Sequence, residues 1–345
     1  MNHRQWLSMV AALTLIQAFV ASDPLYAAQF FLCNGKPARW NNGSGTVLYY
    51  PNATFPVGST ASAALGRARD AWNVFTPGSL ARIALQPLGQ SGWSAGNGRN
   101  DVAIDTGRVL DWSNGALGVT VLRFQNCSII ESDVLFNPAV TWNNATNPSP
   151  LSATISLADV GVHELGHSLG LNHEDRVLAT MNSFYPNSGP LGNLNDPDPH
   201  ANDAAGMRQI YGSLGVYRDL AASAFLRTGA GTSAVIPAPR LLLRGGPAVF
   251  PFTVSNRGNV EQSGVRVRLF LSTNRTITAA DTFLGDHVIF FGAGSEATFT
   301  ANGIVPTNMA PGFYFLGYLL DPTNSVFETD EDNNGVALTA ASEVR

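Results

Sequence analysis

Charge is scarce in this chain. Only 13% of its 345 residues are Asp, Glu, Lys or Arg, and the formal net charge is −5. So little charge suggests no electrostatic footprint for nucleic acid or an anionic bilayer, and those partners are set aside. Long apolar runs are also rare. The one candidate, LSMVAALTLIQAFVAS after MNHRQW, is interrupted by Gln17 and is short of the ~20 apolar residues that cross a bilayer. It ends in small residues and reads as a secretory signal within residues 1–28, cleaved after Ser22 or Ala27, with an uncleaved anchor as the alternative. No later stretch is apolar enough to span a membrane in the mature chain. Cysteine is limited to Cys33 and Cys127, an even pair expected to close one disulfide in an oxidising compartment. The alternative makes Cys33 an inhibitory thiolate on a metal, although no propeptide-like stretch surrounds it.

The length suits two domains, each able to bury its own core. VLYYP at 47–51 reads as a strand, and TASAALGRARDAWNVF at 60–75 as a helix with Ala64, Leu65, Ala68, Ala71, Trp72 and Phe75 on one face. A strand is expected at RIALQPL, a loop over 90–100, and strands at DVAID, ALGVTVLRF and SDVLFN. A helix starts near Ser156 or Asp159, and another covers 202–212, with Asp203 in its first turn and Gly212 at its end. The boundaries expected are a first domain at 29–213, a linker at 214–245 and a second domain at 246–345. In that last part AVFPFTVSN, GVRVRLFLS, DHVIFFG, ATFTANGIV, GFYFLGYLLD and NSVFET, separated by turn clusters, predict an antiparallel β-sandwich. DPDPHAND at 196–203 and the acidic ETDEDNN run read as turns rather than calcium sites.

The six histidines are not spread evenly, since three of them fall within HELGHSLGLNH at 163–173. Residues four apart share one face of a helix, so His163 and His167 can address a single ion, with Glu164 beside them. Gly170 can enter the left-handed region, turning the chain so that His173 arrives as a third ligand. Three neutral imidazoles leave one position of a tetrahedral zinc open for water, the layout of a catalytic site. Glu164 is placed to act as general base and to pass the proton to a leaving amine. HExxH alone is short enough to arise by chance, but the added Gly and third His make the pattern specific.

HELGHSLGLNH resembles the HExxHxxGxxH zinc signature of the metzincin metallopeptidases. LATMNSFY, which places Met181 eight residues after His173 and Tyr185 four further on, resembles the Met-turn region of the matrixin branch. The RQIYG ending of the last helix, the AWNVF helix and ESDVLFN…TW are similar to bacterial matrixin-like domains, so the resemblance covers about 30–212. It implies an α+β domain with a twisted five-stranded mixed sheet and a backing helix above a horizontal cleft. The strand near Leu117, Gly118 and Val119 would bind a protein or peptide substrate as an added strand, Tyr185 would wall a pocket, and Met181 would floor the metal. One zinc is expected, and calcium is left open because the metal-binding segment of vertebrate matrixins is not visible. Glu174 follows the third His where matrixins usually carry Ser and astacins Glu. LSTNRTITAADTFLGD and PGFYFLGYLLDPTNSVFETDEDNNGVAL resemble the CARDB-type immunoglobulin-like module, which implies an all-β sandwich with a cell-surface or matrix ligand. The expectation is a secreted, monomeric zinc metalloendopeptidase; the alternative is an adhesion protein using an inactive peptidase scaffold.

Overall fold

Alternation of buried Val47 and Tyr49 with exposed Leu48 makes β1 (Thr46–Pro51) a strand that leans its inner face on a helix. The computed structural model describes residues 28–41, 45–74, 82–86, 92–146, 154–184, 198–213, 215–229 and 232–345. The signal segment, Phe75 and Tyr185 lie outside the described residues. Helix α1 (Thr60–Asn73) starts where Ser59 Oγ accepts from Ser62 N, and buries Ala64, Leu65, Ala68, Ala71 and Trp72 as its spacing predicts. Strands β2 (Arg82–Leu85) and β3 (Asn100–Ile104) flank β1 in parallel. Strand β4 (Gly118–Gln125) runs antiparallel to β5 (Ser128–Phe136), which itself is parallel to β3. The strand order is therefore β2-β1-β3-β5, with β4 at the edge. The short strand Arg39–Trp40, parallel to the start of β5, makes six strands rather than the expected five.

Helix α2 (Leu157–Ser168) opens at Ser156, whose hydroxyl accepts from Asp159 N. It packs unusually close to α1, because a Cβ at Gly161 would lie 3.0 Å from Ala68 Cβ. Trp72 closes the contact from the other side, donating its indole N–H to Val162 O at 2.8 Å while fully buried. Helix α3 (Ala201–Tyr211) ends at Gly212 with φ 81°, a conformation that favours glycine.

The second domain is a sandwich of two sheets. One contains β6 (Leu220–Ser223), β7 (Pro247–Asn256) and β10 (Ser295–Ile304); the other contains β8 (Gln262–Ser272), β9 (Thr282–Phe291), β11 (Gly312–Leu320) and β12 (Gly335–Val344), with Leu241–Leu242 beside β12. Three sequence expectations change here. Residues 214–245 are not a plain linker: they carry β6, the hairpin Phe225–Gly229/Thr232–Val235 and the Leu241–Leu242 strand. NSVFET is not a strand, because the Asp321 carboxylate gathers Val326 N at 2.6 Å and Ser325 Oγ at 2.5 Å and folds the segment into a turn. Within ETDEDNN, Glu328 is buried rather than solvated, accepting from Leu220 N and from Asn334 Nδ2.

The sandwich sits directly on the first domain. Arg208 of α3 donates to Arg257 O at 2.6 Å and Gly258 O at 3.0 Å. Leu178, between the third histidine and Met181, packs with Ala224 and Phe225 of the former linker. No helix of the described residues is long and apolar enough to cross a membrane.

Candidate metal centre

The last carbonyls of a helix need partners outside it. At the end of α2 the Ser168 carbonyl accepts from Trp40 Nε1 at 2.8 Å, the Leu169 carbonyl from Tyr211 Oη at 2.7 Å, and the Gly170 carbonyl from Phe31 N at 3.1 Å. Gly170 has φ 100°, and a Cβ there would overlap the Ala38 carbonyl, so the turn requires glycine for both reasons. The chain reverses there and brings His173 back toward the helix.

All three histidines converge. His163 and His173 Nε2 are 3.3 Å apart, His167 and His173 Nε2 are 3.1 Å apart, and the three groups together are among the described residues the one metal-competent cluster. Tetrahedral ligands at ~2.0–2.1 Å from zinc stand roughly 3.3–3.4 Å from each other, so the spacing fits such an ion. The hydrogen bonds on the far side of the rings add a second test. His163 Nδ1 donates to Thr180 O at 2.8 Å and His167 Nδ1 to Leu171 O at 2.9 Å. A proton on Nδ1 leaves a lone pair on each Nε2, and lone pairs converging this closely are repulsive unless they share a cation. Burial pushes the His163 pKa down to about 4 and holds His167 well below the usual imidazole value. His173 is lowered too, again chiefly by burial, against the raising effect of Asp175. The rings are thus kept in the neutral form that binds metal.

Glu164 follows His163 on the same helix and is almost fully buried. Burial raises its pKa to about 7, opposed by a hydrogen bond from Thr120, whose Oγ1 is 2.7 Å from Glu164 Oε2 and 2.9 Å from Glu164 O. Gly118 is two residues earlier on β4, and a Cβ there would lie 2.5 Å from Glu164 Oε1. Leu117 packs partly buried at the start of this strand, and Val119 pairs with Leu135. Strand β4 pairs with β5 alone among the described residues, which leaves its other edge without a strand partner there.

Met181 is buried, and a Cβ on Gly166 of α2 would collide with its Sδ and with Trp72. Its place is fixed by Asp203, which accepts from Thr180 N at 2.7 Å and Met181 N at 3.3 Å as well as from His200 N at 2.9 Å. Glu174 turns away from the metal cluster: it forms an ion pair with Arg176 at 2.5 Å, and its carbonyl accepts from Asn182 Nδ2. Cys33 and Cys127 are joined to each other, which removes Cys33 as a thiolate ligand. Two residues escaped the sequence reading. Thr120 could have been found from strand alternation, since it shares a face with Gly118; Asp203 was legible as a helix-opening acid but not as the group that holds the Met181 turn.

Residues 103–212 match the profile described as matrixin, and residues 239–338 match CARDB. Matrix metalloproteinase-2 of Drosophila melanogaster is 38% identical over 81 residues, which are 24% of this chain and 10% of that protein. Stromelysin-3 of Mus musculus is 28% identical over 191 residues, 53% of this chain and 33% of that protein. The chain therefore spans a third or less of the length of these two relatives. Among solved structures, a CARDB domain from Pyrococcus furiosus is similar over 37% of this chain and 90% of its own, at 19% identity and TM-score 0.27. A putative cell surface protein from Methanosarcina acetivorans covers 36% of this chain and 92% of its own, at 15% identity and TM-score 0.26.

Proposed function

From a chain that carries a matrixin domain followed by a CARDB module, we propose a secreted zinc metalloendopeptidase that hydrolyses peptide bonds of protein substrates. The observation that carries this reading is the convergence of three Nε2 lone pairs, with a buried carboxylate on the helix residue next to His163 that is hydrogen-bonded to a strand with a free edge among the described residues. His163, His167 and His173 would hold the zinc. Such an ion supplies a Lewis acid that acidifies water and polarises a carbonyl. Glu164 takes a proton from the attacking water and delivers it to the leaving amine. An extended substrate pairs with β4 at Leu117, Gly118 and Val119, adding one strand to the sheet, while Met181 remains an apolar floor. Tyr185 belongs to the pocket wall in this reading.

The disulfide fits an oxidising compartment, and with the expected signal it favours export. The CARDB module would then hold the enzyme near a cell-surface or matrix ligand, with the chain acting as a monomer. The test is digestion of denatured protein in a substrate gel, with and without a chelator. Clearing that the chelator abolishes and added zinc restores is expected. Protein that carries stoichiometric zinc but cleaves nothing in a broad peptide library would overturn the reading in favour of a binding scaffold.

A further inference from the structure

We propose that Thr120 is a positioning residue that divides the labour of the two Glu164 oxygens: it holds Oε2, so that Oε1 is the oxygen presented for proton transfer. This rests on the peptidase reading given above. A threonine hydroxyl has one proton to donate and here has two acceptors in range, the Glu164 carboxylate at 2.7 Å and the Glu164 carbonyl at 2.9 Å. The carbonyl already accepts within α2, and a charged acceptor forms the stronger bond, so the proton goes to the carboxylate. Among the described residues no other donor reaches that carboxylate.

Gly118 supplies the other half of the arrangement. Residues 118 and 120 share one face of β4, so the strand offers Glu164 a place with no side chain followed by a place with a hydroxyl. A Cβ on residue 118 would stand 2.5 Å from Oε1 and 2.6 Å from Cγ of Glu164. The carboxylate therefore occupies space that only a glycine at 118 leaves open. Without the hydroxyl, a nearly fully buried side chain has no hydrogen bond to hold it there, and rotation about its last bonds takes Oε1 out of line. The chemistry still occurs, but from a smaller share of productive geometries.

The experiment uses the full chain with Thr120→Val, Thr120→Ala, Thr120→Ser and Glu164→Gln, assayed on a quenched fluorescent peptide together with zinc stoichiometry. The Val variant should lose kcat by about ten- to a hundredfold, the range set by a hydrogen bond to a charged group, while KM and one bound zinc are kept. Ser restores kcat, because it returns the hydroxyl. Should Val lose zinc through misfit of its second methyl, Ala, which deletes the hydroxyl without adding bulk, carries the same expectation. Wild-type kcat in the Ala or Val variant beside an inactive Glu164→Gln overturns the role of Thr120 and leaves the peptidase reading intact. An equal loss in Ser and Ala also overturns it, since the hydroxyl is then not the cause. Full cleavage by Glu164→Gln overturns Glu164 as the base, whereas absence of cleavage by the zinc-loaded wild-type chain overturns the peptidase reading itself.

Discussion

His200 Nδ1 lies 2.7 Å from the Glu296 carboxylate, so the residue that opens α3 in the first domain is held by an acid of the sandwich. The contact continues inward. His200 N and Thr180 N both donate to Asp203 Oδ2, and Thr180 O accepts from His163 Nδ1. Together with the packing of Leu178 on Phe225, this ties both His163 and the turn after His173 to the second domain. The second domain is thereby linked by contacts to the three-histidine cluster as well as being a fold of its own.

Phe225→Ala tests that connection. The side chain is 3% exposed, so its removal leaves a cavity against Leu178 worth about 3–5 kcal/mol. Calorimetry of the full chain should show one transition that falls as a whole. Two transitions, with only the sandwich shifted, would mean that the domains do not support each other.

Gly170→Ala should cost about 1–3 kcal/mol, since φ 100° is strained for any residue with a Cβ and that atom would also meet Ala38 O. Because this turn delivers His173, zinc affinity measured by chelator competition should fall with stability. Unchanged affinity would separate the turn from the third ligand.

Much of this was legible because it is local. The spacing of HELGHSLGLNH carries its own geometry, and Ser156 announces its helix by chemistry that acts within one turn. What was missed depends on distance along the chain. Thr120 meets Glu164 across 44 residues, and Asp203 meets Thr180 across 23: strand alternation puts Thr120 on the face of Gly118, but periodicity names neither contact partner. The region 214–245 was misread for a different reason: its Gly, Pro and Ser content is that of a linker, yet Thr232–Val235 pairs with Phe225–Gly229 and gains its stability from packing on Leu178. NSVFET failed in the opposite sense, since its apolar residues suggest a strand while Asp321 captures the backbone locally.

Glu328 makes a prediction about pH. Burial raises its pKa from the ordinary carboxyl value to about 8, with Asp219 and Glu331 adding to the effect. The folded state therefore binds a proton more tightly than the unfolded chain, and this group's contribution to stability is lost as pH rises from about 5 through 8. Glu328→Gln has no such proton to lose. Its Tm relative to wild type should rise steadily across that window; a constant difference would contradict the shift.

The Cys33–Cys127 bond closes a segment with a sequence separation of 94. Removing it by Cys33→Ser/Cys127→Ser should lower stability by about 3–5 kcal/mol, on chain-entropy grounds. Thermal unfolding of the double variant, compared with the oxidised protein, measures this directly.

The central claim is that Glu164 is the base beside a zinc held by three histidines. Glu164→Gln keeps the shape of the side chain and removes the carboxylate, so the decisive measurement is zinc content and peptide cleavage on the same sample of that variant. The account predicts one zinc per chain and cleavage reduced by at least about a thousandfold, the upper range of what positioned acid–base groups contribute. One zinc per chain with cleavage at the wild-type rate would contradict it.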